Sequence, residues 1–298
     1  MSQKKKVALV LSSGGARGMA HIGVIEELEK NGFEISSIAG SSIGAVIGGI
    51  YALGKLTEYK NWVCELDRMD VFKLLDFTLT SQGFIKGEKV FEEIQKFIDD
   101  QPIENLKIPF VAIATDMLNH REVALSKGSM FAALRASIAI PTILTPYKLN
   151  GVSLVDGGVL NPVPLNHIER RKDDILVVVD LNAHPKKKGK EKELNLPEKH
   201  HQKYLEKIET FFKNWNKIFT ENKDSKEKVS YFKIFNKVTE AMQAKISEMM
   251  LEQYKPDMIV RISKNSCASF DYHRAEELIE LGRQNFKKSL ESYKESLK

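Results

Sequence analysis

The sequence predicts an α/β fold with a mostly parallel sheet covered by helices on both faces. Three observations carry this reading. Short apolar, β-branched runs recur along the chain and alternate with stretches of helical periodicity. Two of the strand-to-helix passages, at residues 14–18 and 40–44, are rich in glycine. The composition, 42% hydrophobic and 29% charged over 298 residues, is globular and excludes a disordered or collagen-like chain. A chain of this length buries roughly three quarters of its surface, so one large core needs no covalent staples. Residues 1–298 read as a single domain carrying a basic insertion at 184–228.

Taken in order, Val7–Leu11 is an apolar run that ends at a glycine turn, as a buried strand does. Ala20–Lys30 has helical periodicity through Ile22, Ile25 and Leu28, and Asn31-Gly32 stops it. Ile35–Ala39 reads as a short strand and Ile43–Leu53 as a buried helix. Phe72–Phe91 reads as helical. Phe110–Ala114, Ser153–Val155, Ile175–Leu181 and Met258–Ile262 are further strands. Phe232–Tyr254 predicts an amphipathic helix whose apolar face runs through Phe235, Val238, Met242, Ile246 and Met249. Tyr272–Leu290 is the last helix, with Leu278, Ile279 and Leu281.

Two segments imitate membrane signals. Lys4-Lys5-Lys6 precedes an apolar run of only five residues, shorter than the apolar region of about 7–15 in a signal peptide. Residues 35–54 carry no charge over a length that could span a bilayer. Five glycines and a serine motif favour a strand, a turn and a helix there. Without a signal peptide, the expected location is cytoplasmic, with peripheral attachment to a membrane as an open addition.

The charge is informative through its location. The net charge is +5, from 45 Lys and Arg against 40 Asp and Glu. Residues 186–228 alone hold 13 basic and 8 acidic side chains, which leaves 32 of each elsewhere. Within this segment Tyr204–Phe219 sets aromatic and aliphatic residues on one helical face, with lysines beside it. Two readings stand: a helix packed on the core or on a second copy in a homo-oligomer, or a lid or interfacial helix that docks on anionic lipid. An acidic lipid surface suits it better than nucleic acid. Two cysteines, Cys64 and Cys267, are too few for a disulfide framework and lack metal-ligand spacing.

Gly40-Ser41-Ser42-Ile43-Gly44 fits G-x-S-x-G between a strand and a helix. A serine nucleophile has to stand proud of the sheet on a tight turn, and Gly40 and Gly44 permit the close approach. Ser42 holds the nucleophile position. Gly14-Gly15-Ala16-Arg17-Gly18 also follows a strand, and its bare N–H groups can bind an oxyanion or a phosphate. The dinucleotide and P-loop patterns both fail here. Asp156-Gly157-Gly158 ends an apolar run and supplies a candidate general base. The histidines (His21, His120, His167, His184, His200, His201 and His273) do not follow the strand-to-loop pattern of a triad base.

Together these pieces resemble the patatin-like phospholipases, in particular the bacterial branch similar to neuropathy target esterase. The matching stretches are Ser13–Val24, Gly40–Ala45, Ala114–Asp116, Arg135–Pro141, Asp156–Pro164 and Glu277–Gly282. The resemblance covers residues 7–182 strongly and about 256–285 more weakly. It implies a three-layer α/β/α fold of the patatin-like, or lysophospholipase-like, kind. It also implies a Ser–Asp dyad, with Ser42 as nucleophile and Asp156 as base. Gly14, Gly15, Ala16, Arg17 and Gly18 would form the oxyanion hole. No metal or other cofactor is implied. The family often has glycine where Ser13 stands. Arg17 has two roles open to it, holding a substrate anion or making a structural ion pair.

The expected activity is hydrolysis of an acyl ester in a phospholipid or lysophospholipid. An acyltransferase working through the same acyl-enzyme, and a non-catalytic membrane-associated regulator, are the competing readings.

Overall fold

The computed structural model describes residues 5–75, 77–80, 83–183 and 231–298. The basic insertion 184–228, with its expected helix at Tyr204–Phe219, lies outside them. The chain divides into two compact units, Met1–Pro185 with Met242–Lys298, and Lys186–Ala241. Of the second, only the opening of a helix, residues 231–241, is described.

Five parallel strands form the backbone of the first unit: β1 (Lys5–Leu11), β2 (Phe33–Ser41), β5 (Phe110–Asp116), β9 (Ile175–Ala183) and β10 (Met258–Ser263), in the order β10-β9-β1-β2-β5. Val7–Leu11 is wholly buried, which is why β1 reads as a continuous apolar run. Its side chains alternate between two cores. Val7, Leu9 and Leu11 face α1 (Met19–Lys30), α2 (Ile43–Ala52) and α8 (Ala275–Ser296). Ala8 and Val10 face the other way, toward Val163, Leu165 and helix α7 (Tyr231–Tyr254). The sheet therefore lies between two covering layers.

From β1 the chain passes to β2 on one side, and β9 later fills the other side. Such a reversal opens a crevice beyond the carboxyl ends of the strands. The glycine-rich turn after β1 and the serine turn after β2 both lie there, with Leu11 paired to Gly40.

Three further strands are antiparallel: β6 (Arg121–Leu125), β7 (Tyr147–Leu149) and β8 (Val152–Asp156). The expected strand Ser153–Val155 is thus present but runs against β5. Phe72–Phe91 differs more. It contains the end of α4 (Arg68–Leu74), a hairpin of β3 (Phe77–Thr80) and β4 (Gly83–Ile85), and the start of α5 (Glu88–Gln95). Two threonines and Gly83 favour a hairpin over a continuous helix.

Helix α7 forms where expected but presents a different face. Val238, Met242 and Met249 are all exposed. Ser247 is buried instead, and Met250, Leu251 and Tyr254 pack on the second core.

Candidate active site

Strand β5 brings Ser42 and Asp156 together. It pairs with β2 through residues 110–113, with β6 through 112–116 and with β8 through 114–116. The β6 register overlaps both others, so β2 and β8 share one edge of β5 and β6 takes the opposite edge. β2 and β8 run in opposite directions along that edge and end head to head. Ser41 lies opposite Ile113, and Asp156 opposite the next residue, Ala114.

Ser42 is the first residue beyond β2 and the cap of α2. Its backbone sits at φ 55°, ψ −127°, a conformation that costs a non-glycine residue on the order of 1–3 kcal/mol. Packing enforces it. A Cβ on Gly40 would strike the Ala45 and Gly44 backbone, and one on Gly44 would strike the Leu11 carbonyl. These glycines matter for space, since neither has a positive φ. The Ser42 amide donates to Ser137 Oγ at 2.9 Å, and Ser137 Oγ donates to the Ile113 carbonyl at 2.6 Å.

Ser42 Oγ donates to Asp156 Oδ2 at 2.5 Å. The other carboxylate oxygen accepts from the Gly158 amide at 2.7 Å. The Asp156 backbone is held by the Ala139 carbonyl and the Thr115 hydroxyl. Burial pushes the Asp156 carboxyl up to about 6, against the smaller downward pull of Ser42 and the Gly158 amide. A carboxylate poised there accepts a proton near neutrality and returns it readily.

The glycine-rich turn is a short 3-10 helix, Gly15–Gly18, leading into α1. Gly15 takes φ +57°, with the Ser269 backbone too close for a side chain. The Ala16 amide is used by the Ser269 carbonyl at 2.9 Å. The amides of Gly14 and Gly15 are left without an acceptor among the described residues. Gly18 accommodates Ile43, the residue after Ser42. Arg17 is buried and donates to the Lys264 carbonyl at 3.1 Å.

Three described histidines bond away from Ser42. His21 donates to the Ser12 carbonyl at 3.0 Å, and burial pushes its pKa down to about 4, so it is neutral. His167 pairs with Glu122, and His273 accepts from Arg68. Among the described residues no three His, Cys, Asp or Glu side chains gather closely enough to hold a metal ion. No described helix is long and apolar enough to cross a membrane.

Ser42 and Gly15 open into a cavity of about 930 Å³, counting its part open to solvent. Its walls come from α2, α3 (Leu56–Glu65), α4 and α5, from the chain after α6 (Met130–Ser137) and from Phe270 and Tyr272, with Val46, Trp62, Phe91 and Ile140 among them. Among the described residues no charged side chain lines it. These walls form no motif along the chain, because their residues are scattered over several distant segments. Ser137 was also missed as a site residue, although it lies in the matching stretch Arg135–Pro141.

A family model described as patatin-like phospholipase matches residues 9–167. A protein of Mycobacterium bovis, described as an uncharacterized NTE family protein, is 30% identical over 98% of this chain and 93% of its own length. A second protein of that description, from Mycobacterium tuberculosis, is 32% identical over 59% of this chain and 30% of its own. Lysophospholipase NTE1 of Yarrowia lipolytica is 30% identical over 59% of this chain, a match spanning 13% of that longer protein.

Proposed function

The chain belongs to the patatin-like phospholipase family, and from that premise we propose that this lipid acyl hydrolase works through a dyad of Ser42 and Asp156. The observation that carries the proposal is the 2.5 Å bond from Ser42 Oγ to Asp156 Oδ2 at the mouth of an apolar cavity. The substrate class is a phospholipid or lysophospholipid, whose acyl chain enters the uncharged cavity.

In the first half-reaction Asp156 takes the Ser42 proton as Oγ attacks the ester carbonyl. The Gly14 and Gly15 amides stabilise the oxyanion, and removing one such donor typically costs about 3–4 kcal/mol of barrier. Asp156 then gives the proton to the leaving alcohol, and an acyl-serine remains. Water, deprotonated by the same carboxylate, attacks the acyl-serine and releases the fatty acid. One carboxyl group has to serve as base and acid in turn, which a pKa near 6 suits.

Residues 186–228 supply the second part of the reading, peripheral attachment to anionic lipid. Their charge surplus equals that of the whole chain. Deleting them should weaken binding to anionic vesicles while sparing turnover of a soluble ester. Unchanged vesicle binding would refute the attachment.

The deciding experiment for the chemistry combines fluorophosphonate labelling, located by mass spectrometry, with lysophospholipid turnover. Label at Ser42, and loss of turnover in folded Ser42→Ala and Asp156→Asn, is the expected result. Full turnover by Ser42→Ala would overturn the dyad.

A further inference from the structure

Helix α7 docks by a stripe that its sequence disguises. Ser247, Met250, Leu251 and Tyr254 face the sheet, and Gln243 lies one turn before Ser247 on the same side. A long polar side chain on a docking face loses rotamer freedom and needs a partner. Gln243 has one: its Nε2 donates to the Gly158 carbonyl at 3.0 Å. Gly158 in turn donates its amide to Asp156 Oδ1. The packing around Gly158 is close. A Cβ there would lie 2.9 Å from Ser13 Oγ and 3.0 Å from both Asp156 Oδ1 and Gln243 Nε2.

We propose that Gln243 is a positioning residue for Asp156, acting through Gly158. The rest of the Asp156 backbone is tied to Ala139 and Thr115. On the glycine side the Gly157 carbonyl accepts from the Leu160 and Asn161 amides, and the Gly158 carbonyl accepts from Gln243. Held there, the Gly158 amide stays on Oδ1 and leaves Oδ2 to Ser42. The inference rests on the dyad reading of Ser42 and Asp156.

The consequence is electrostatic. An N–H donated to a carboxylate favours its ionised form. Releasing Gly158 weakens that bond and favours the protonated acid, which is inactive as a base. The groups around Asp156 are the Ser42 hydroxyl from the α2 cap, the Thr115 hydroxyl from β5 and the Gly158 amide. Among the described residues a titratable side chain coupled to Asp156 by charge is Tyr272, which also feels Arg17 and Cys267. Burial raises the Tyr272 phenol pKa, so it stays protonated throughout the acid limb. On α7 itself Glu240, Lys245 and Glu248 are exposed to solvent.

The test is the rate of fluorophosphonate labelling at Ser42 from pH 4.5 to 8 (a window spanning about two units around the acid limb) in the full chain, Gln243→Met and Gln243→Lys. Methionine matches the length of glutamine and removes the donor; lysine keeps a donor and adds positive charge. The expected result is an acid limb raised by about half a pH unit or more in Gln243→Met and returned to or below the wild-type position in Gln243→Lys. An unmoved limb in Gln243→Met, or an upward shift in Gln243→Lys, would overturn the proposal. If Gln243→Met does not fold, the direction of the Gln243→Lys shift decides alone. Absence of labelling at Ser42 in the wild type would instead strike the dyad reading.

Discussion

The amide of Ser42 donates to the Ser137 hydroxyl, which passes the bond on to the Ile113 carbonyl of β5. A strained backbone is thus anchored to the strand that also registers Asp156. Removing the hydroxyl leaves a buried N–H without an acceptor, at about 1–3 kcal/mol. Ser137→Ala should lose that much stability in urea denaturation and show a lower kcat with little change in KM. Unchanged stability and kcat would show that the relay is dispensable.

The positive φ of Ser42 gives a second expectation. Ser42→Gly and Ser42→Ala both remove the hydroxyl, so their difference isolates the backbone. Glycine relieves a strain on the order of 1–3 kcal/mol and gives back roughly 0.5–1 in chain entropy. Ser42→Gly should therefore be about 1 kcal/mol more stable than Ser42→Ala by thermal melts, with both inactive. A more stable alanine variant would contradict this.

Asp156 links activity and stability to pH with opposite signs. The base has to be ionised, so kcat/KM should rise through a pH of about 6 and then level. Folding responds the other way, because the native carboxyl holds its proton up to about 6 while the unfolded one loses it near 3.8. Its contribution is fully favourable below the unfolded pKa. It declines as pH rises between the two values, by roughly 3 kcal/mol in all. Asp156→Asn should remove this decline along with the activity. Denaturation curves of the two proteins at pH 4 and about pH 7 measure it.

The uncharged cavity predicts chain-length selectivity. Ile140 lines it from the segment after α6 and is partly exposed. Ile140→Trp fills space there without cutting into the buried helix–sheet packing. Long-chain ester turnover should fall at least about tenfold relative to an acetyl ester, as 1–3 kcal/mol of lost fit implies. Equal losses on both substrates would place the acyl chain elsewhere.

Much of this was legible from residues alone. Val7–Leu11 and residues 176–181 are buried on both faces, so their apolar runs were unambiguous. The turns at Gly14–Gly18 and Gly40–Gly44 were visible because close backbone approach excludes side chains. The α7 docking face was not, since Gln243 and Ser247 are polar while the solvent face carries Val238, Met242 and Met249. Periodicity reports which face is apolar, and here a hydrogen bond to Gly158 and local packing decided which face docks. Phe72–Phe91 failed for a related reason: a short hairpin between helices has too few residues to show a period of its own. The direction of β8 was also hidden, because strand pairing is set by partners distant in sequence.

The head-to-head ends of β2 and β8 have a consequence for how such an enzyme diversifies. The separation of Ser42 and Asp156 is set by two adjacent rungs of β5, whatever the path of the chain between them. That path includes α3 to α6 and much of the apolar cavity wall. Insertions and substitutions along it can alter which ester is accepted while the reacting atoms keep their spacing. On the dyad reading, reaction and substrate choice are thus separately heritable.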